Sequence, residues 1–329
     1  LNLAIIGAGA WGTALAITFS SRHHVTLWTR EADVTATMLA ERENLRFFPG
    51  YRLPEAVTVA TELVDAVGGA ELIIVATPLV GFRATLQSLR AAGAVKPIVW
   101  VCKGLEAGSA QLPHQIVAEE FGGEALGAAF SGPSFAEEVA RGLPTAVTLA
   151  SRDAEFARHT ALALHGNRLR VYANDDLVGV EVGGAVKNVM AIACGICDGL
   201  GLGHNARAAL MTRGLAEIAR LGVALGGQPQ TFMGLAGMGD LILTCTGDLS
   251  RNRQVGLALA AGKKLSDILA ELGHVAEGVG TAREVARIAA QHGIEMPITR
   301  AVDAILHEDV PAAAAVEQLL SRDPKVELQ

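Results

Sequence analysis

Residues 2–22 read "NLAIIGAGAWGTALAITFSSR", an unbroken apolar run, then three glycines, then a helical pattern. Gly7, Gly9 and Gly12 stand in G-x-G-x-x-G spacing at the junction of strand and helix. In that setting the first glycine permits a tight turn and the second lets backbone approach a diphosphate. The third lets strand and helix pack closely, with the anion at the helix N-terminus. The turn therefore predicts a dinucleotide-binding βαβ unit.

Further strands succeed the first at intervals: "HVTLWTR", "LIIVATP", "PIVWVCKG", "ALGAAFSG", "TAVTLAS" and "RLRVYAN". Apolar strands separated by helical segments are buried on both faces, which predicts a mostly parallel, doubly wound sheet. Strand signals stop near "YANDD". The remainder of the chain reads as helices: one over about 177–197, one behind Asn205, a glycine-punctuated stretch at "MGLAGMGDLILTC", and others behind Ser250, Ser266, Thr281, Pro297 and Pro311. The fold class expected is α/β then all-α, a Rossmann-type domain over 1–176 and an all-helical substrate-binding domain over 177–329. "SRDPKVELQ" at the end reads as a fraying tail.

Of the 329 residues, 50% are hydrophobic and 4% aromatic, so the cores are packed from Ala, Val, Leu and Ile and disorder is not expected. A net charge of −7 argues against a nucleic-acid partner, and any anionic ligand must meet a local basic cluster. No run reaches ~18 uninterrupted apolar residues, since Glu181 and Lys187 break the most apolar segment, so no integral membrane segment is expected. The opening residues carry no basic region and no small-residue cleavage site, so no secretory signal is expected either. Four cysteines are too few and scattered for a disulfide framework, which points to a reducing cytoplasm. Within "CGIC", Cys194 and Cys197 have redox spacing but sit in an apolar helical pattern that makes them core residues. The nine histidines show no metal-ligand spacing, and no metal is expected.

Ligands of an open parallel sheet sit beyond the carboxyl ends of its strands. Arg30, about twenty residues after the glycine turn, stands where an acid would select NAD; a guanidinium there accepts a 2′-phosphate, while Glu31 beside it leaves NAD open. Lys103 closes its strand, and Gly132-Pro133-Ser134 makes a tight turn, with Ser134 and Glu137 at capping-box spacing. Lys187 lies in "VEVGGAVKNVMAIACG", where Gly183, Gly184, Met190 and Ala191 are its helical neighbours. That nearly bare helix side leaves room for a ligand, and an amine so enclosed tends toward a lowered pKa suited to proton exchange. Asp240 is available as its partner. Ser250 is placed to cap a helix whose first turn holds Arg251, Asn252 and Arg253, a phosphate receptor.

Together these motifs resemble the bacterial NAD(P)-dependent glycerol-3-phosphate dehydrogenases. The similar stretches are "GAGAWGTALA", "VCKGLE", "SGPSFAEEVARGLPTAV", "VGGAVKNVMAIACGICDGLGLGHNARAALMTRGLAE", "MGLAGMGDLILTCTGDLSRNR" and "HVAEGVGTAREV", in the family's order and reaching to about residue 300. The resemblance implies reduction of dihydroxyacetone phosphate to sn-glycerol 3-phosphate with NADPH or NADH, serving phospholipid synthesis in the cytoplasm, by a homodimer. It implies Lys187 as proton donor and acceptor, and Lys103, Gly132, Ser134, Asp240, Ser250, Arg251 and Asn252 as substrate contacts. Ala10, Trp11, Arg30, Lys103, Ala136, Arg251, Val275 and Glu277 would contact the cofactor. Ala10 replaces a serine common in the family, which removes one side-chain contact to the diphosphate. Two other readings compete: an NADP-dependent hydroxyacid or phosphogluconate-type dehydrogenase, and a non-catalytic NADP-sensing module.

Overall fold

The computed structural model describes residues 1–94, 96–122, 125–273 and 275–323; most of the tail reading falls on 324–329, outside the described residues. The chain begins β1 (Asn2–Ile6), α1 (Ala10–Phe19), β2 (His24–Trp28), α2 (Ala32–Glu41), then a hairpin of β3 (Glu43–Asn44) and β4 (Phe48–Arg52). Next come β5 (Val57–Val59), α3 (Leu63–Gly68), β6 (Leu72–Val75), α4 (Leu79–Ala91), β7 (Ile98–Trp100) and α5 (Pro113–Phe121). The sheet-forming half finishes with β8 (Gly127–Ser131), α6 (Ala136–Ala140), β9 (Thr145–Ala150), α7 (Ala154–Leu164) and β10 (Leu169–Asn174).

Eight strands form one sheet in the order β10-β9-β8-β7-β6-β1-β2-β5. All neighbours are parallel except β8 and β9. The alternation in β1 shows why both faces are covered. Leu3 and Ile5 enter a core layer with Leu15 and Ala16 of α1, and Ala4 and Ile6 enter the opposite layer with Phe82 and Leu86 of α4. Two features were not legible as strands: β5, only three residues long, and the β3–β4 hairpin, whose "FPGYR" carries proline and glycine.

The second half is helical: α8 (Leu177–Gly199), α9 (Gly203–Ala224), a 3₁₀ turn (Pro229–Met233), a π-helical turn (Leu235–Gly239) and α10 (Asp240–Thr246). It ends with α11 (Arg251–Ala260), α12 (Leu265–Leu272), α13 (Glu277–Gln291), α14 (Pro297–His307) and α15 (Ala312–Leu320). Three expected starts shift toward the N-terminus: Asn205 lies inside α9, α12 begins before Ser266, and Thr281 lies inside α13. Helix α8 is the axis of this half. By length and composition it could cross a membrane, yet 94% of its most apolar window is buried inside the protein, which makes it a core helix. The two halves interlock, because Val180 and Leu177 of α8 join the core under the sheet while Leu105 and Leu112 join the helical core.

Candidate active site

At the glycine turn, Gly7 has φ +112°, and a Cβ there would lie 2.9 Å from the backbone of Ala76 and Thr77. A Cβ on Gly12 would lie 2.0 Å from Gly7 O, so strand and helix meet at a distance only glycine allows. Gly9 differs: nothing lies within 4 Å of its Cβ position. It is also the N-cap of α1 and offers no side-chain cap to the first-turn N–H groups. This fits a dinucleotide diphosphate. Ala10 and Trp11 open the helix, and Trp11 packs against the core under it. Buried Asn44 clamps the turn by donating to Ala8 O at 2.6 Å and Thr13 Oγ1 at 2.9 Å, a role no sequence spacing marked.

Arg30 belongs with this turn, since Gly7 N donates to Trp28 O at 2.8 Å. Its side chain is 80% exposed and its Nε donates to Glu31 Oε1 at 3.0 Å. Burial alone would raise the Glu31 carboxyl, but hydrogen bonds from Thr29 and Arg30 outweigh it and hold the group below its ordinary value.

The second cluster is made of side chains. Asp240, 1% exposed, accepts from Lys187 Nζ at 2.7 Å through Oδ1 and from Lys103 Nζ at 2.6 Å through Oδ2. Lys187 Nζ also donates to Thr244 Oγ1 at 2.7 Å. Thr244 was missed in the sequence, although it stands one helical turn after Asp240. Burial pushes the Lys187 amine down to about 8; Asp240 opposes that shift and Lys103 adds to it. For Asp240 burial works upward, yet the two ammonium groups prevail and keep the carboxyl below its ordinary value. Glu277 is raised by burial, against the pull of Arg251, Lys103 and Lys187.

Formal charges in the cluster are three cations (Lys103, Lys187, Arg251) against two carboxylates (Asp240, Glu277). A chain of net charge −7 thus keeps a local positive excess where a small anion could enter.

The glycines beside Lys187 do not leave room for a ligand, contrary to expectation. A Cβ on Gly183 would lie 2.8 Å from Ala236 O, in the π-helical turn that leads into Asp240. On Gly184 it would lie 2.9 Å from Ser131 Oγ and 3.6 Å from the Lys103 stem. Farther along α8, Gly195 and Gly256 of α11 notch together, each Cβ position 2.1 Å from a carbonyl of the other helix. Close approach of backbones is what the small residues provide: α8 seats, in turn, the elements that carry Asp240, Lys103 and Arg251.

Ser250 caps α11 by accepting from Arg253 N at 3.3 Å, as expected. Arg251 is exposed at the first turn, and buried Asn252 accepts from Gly278 N at 3.0 Å, which ties α11 to the start of α13. Arg253 is consumed structurally by Asp198 at 2.8 Å and Asp248 at 3.0 Å. The Ser134 capping box does not form. Helix α6 starts at Ala136 behind Phe135, and Ser134 Oγ donates instead to Gly132 O at 3.0 Å, the carbonyl that also faces Lys103 Nζ at 3.5 Å. Val275, 43% exposed, and Glu277 precede and open α13. Cys194 and Cys197 are buried, at 0% and 4% exposure. Among the described residues no group of three or more His, Cys, Asp or Glu side chains is placed to hold a metal.

Comparison with known proteins gives the family. The model of the NAD-dependent glycerol-3-phosphate dehydrogenase N-terminus matches residues 2–157, and that of the C-terminus matches 176–317. The chain is 68% identical to a glycerol-3-phosphate dehydrogenase [NAD(P)+] of Dechloromonas aromatica, covering 100% of both chains. It is 60% identical to that of Aromatoleum aromaticum over 99% of this chain and 100% of the relative. The crystal structure of glycerol-3-phosphate dehydrogenase from Coxiella burnetii superposes with a TM-score of 0.93 at 46% identity, covering 98% of this chain and 99% of that one. With both family models matched end to end along the chain, this protein belongs to the NAD-dependent glycerol-3-phosphate dehydrogenase family.

Proposed function

We propose that the chain reduces dihydroxyacetone phosphate to sn-glycerol 3-phosphate, reversibly, with NADPH or NADH. Residues 1–176 serve as the dinucleotide-binding domain and 177–329 as the substrate-binding domain. The observation that carries the chemistry is the Lys187 amine, held between Asp240 and Thr244 and lowered to about 8 by burial. Such a group exchanges protons near neutral pH, as a general acid or base requires.

The open space at Gly9 and the uncapped start of α1 receive the diphosphate, with Gly7, Ala10, Trp11 and Gly12 shaping the turn. When bound, the nicotinamide supplies the hydride. Lys187 gives its proton to the ketone oxygen and regains one in the reverse direction. Asp240 holds Lys187 and Lys103 in register, so both amines meet the same oxygen-bearing end of the substrate. Arg251 and Asn252, behind the Ser250 cap, take the phosphate; Asn252 Oδ1 accepts from Gly278 N, and its Nδ2 is the donor for a phosphate oxygen. Lys103, Gly132 and Ser134 complete the substrate contacts, and Arg30, Ala136, Val275 and Glu277 those of the cofactor.

The same reading makes the protein a cytoplasmic homodimer that supplies glycerophospholipid synthesis. Its four free cysteines, three of them buried, fit a reducing compartment. The test is loss of NADPH absorbance on adding dihydroxyacetone phosphate. Turnover of 2-oxo acids in its place would support the hydroxyacid reading, and cofactor binding with no turnover would support the sensing module.

A further inference from the structure

Behind Lys103, a cavity of about 10 Å³ lies between β7, β8 and α8, walled in part by Cys102, Lys103, Ser131, Glu181 and Gly184. Ser131, at the end of β8, is 5% exposed, and its Oγ is buried with no hydrogen-bond partner. Across the cavity Glu181 is nearly saturated. Its Oε1 accepts from Trp100 Nε1 at 2.8 Å and from His114 N at 2.9 Å, while Oε2 pairs with His114 Nδ1. A carboxylate has about four lone-pair sites, and three are used, so one on Oε2 is left.

Three facts converge on one ligand. The void matches the ~10–15 Å³ that one water needs, its wall offers an unpaired hydroxyl, and the facing carboxylate has one acceptor site to spare. We infer that this cavity binds a single internal water bridging Ser131 Oγ and the Glu181 carboxylate, and that Ser131 is thereby a positioning residue for Lys103. The bridge pins the end of β8 to α8. Gly132 comes directly after it, and its carbonyl faces Lys103 Nζ at 3.5 Å and accepts from Ser134 Oγ.

The experiment is a high-resolution crystal structure of the whole chain and of Ser131→Ala, with steady-state kinetics on both. Expected is one water within hydrogen-bond distance of Ser131 Oγ and Glu181 in the wild type and its loss in the variant. The kcat/KM for dihydroxyacetone phosphate falls about tenfold, chiefly through KM, as a small misplacement of a substrate contact would cause. The pH midpoint of kcat moves little, because Asp240 and Thr244 still hold Lys187. A dry cavity with the Ser131 hydroxyl turned onto a main-chain carbonyl overturns the inference, as does a Ser131→Ala enzyme with unchanged kinetics. Should Ser131→Ala not fold, Ser131→Cys, with its weak donor, is read in the same way. The kinetic arm rests on Lys103 contacting substrate as proposed above, whereas the density arm does not, so the two readings fail separately.

Discussion

The glycine turn and the amine cluster, proposed above as two parts of one site, are made of different material. Around Gly7, Gly9 and Gly12 the working groups are main-chain N–H donors, and the three residues span six positions of one β-α junction. Around Lys187 the working groups are side chains from the segment after β7 and from α8, α10, α11 and α13, drawn together over 175 residues of chain from Lys103, which lies beyond its strand rather than closing it, to Glu277. A main-chain site tolerates side-chain change only where space is open. A side-chain site depends on keeping its charges paired in a buried place.

The largest effect that would sharpen this contrast is at Lys187. Lys187→Ala removes the proposed proton donor and should lower kcat by ~10²–10⁴-fold, with NADPH affinity little changed. Equal turnover would take this amine out of the chemistry. In the wild type, ketone reduction needs the ammonium, so kcat for reduction should fall as pH rises through about 8, and kcat for the reverse oxidation should rise there. Stability tracks the same proton. Between about pH 8 and the ordinary value of 10.5, the unfolded chain holds a proton on this amine that the folded chain has released, so its unfavourable burial eases as pH rises.

Next in size is the pairing itself. Asp240→Ala leaves the buried Lys187 ammonium and the partly buried Lys103 ammonium without their shared carboxylate and should cost about 3–5 kcal/mol in a denaturant titration. A loss under ~1 kcal/mol, on the scale of an exposed pair, would show that water screens the cluster.

The glycine turn yields a paired test of smaller size. Gly12→Ala drives a methyl against Gly7 O and should destabilise the fold by about 1–3 kcal/mol or more. Gly9→Ala meets nothing within 4 Å, so the melting temperature should hold while dinucleotide affinity drops. If both variants lost stability alike, the distinction between an open and a packed glycine would fail. Smallest is Arg30→Ala. Its exposed side chain contributes little to stability, but NADPH affinity should fall about tenfold with NADH affinity unchanged.

The amine cluster also shows where reading a sequence runs short. Lys187 and Asp240 were found because a charge in an apolar run is costly and calls for a partner. The small residues next to Lys187 were noticed for the same reason, but their use was misread. Gly183 and Gly184 admit the backbone before Asp240 and the hydroxyl of Ser131, neighbours more than 45 residues away in each direction. Ser134 illustrates the reverse error: S-x-x-E spacing favours a cap locally, yet the Gly132 carbonyl captured the hydroxyl first.

Local spacing, by itself, determined the dinucleotide turn, the succession of strands and helices and the identity of the buried amine, because each is set by contacts within one or two turns of chain. Tertiary structure alone decided that Thr244 joins Asp240 in holding that amine, that Asn44 clamps the glycine turn, that Arg253 serves Asp198, and that β9 runs against β8. Those choices rest on distances between remote segments, and a hydrogen bond of 2.7 Å has no signature in the order of the residues that make it.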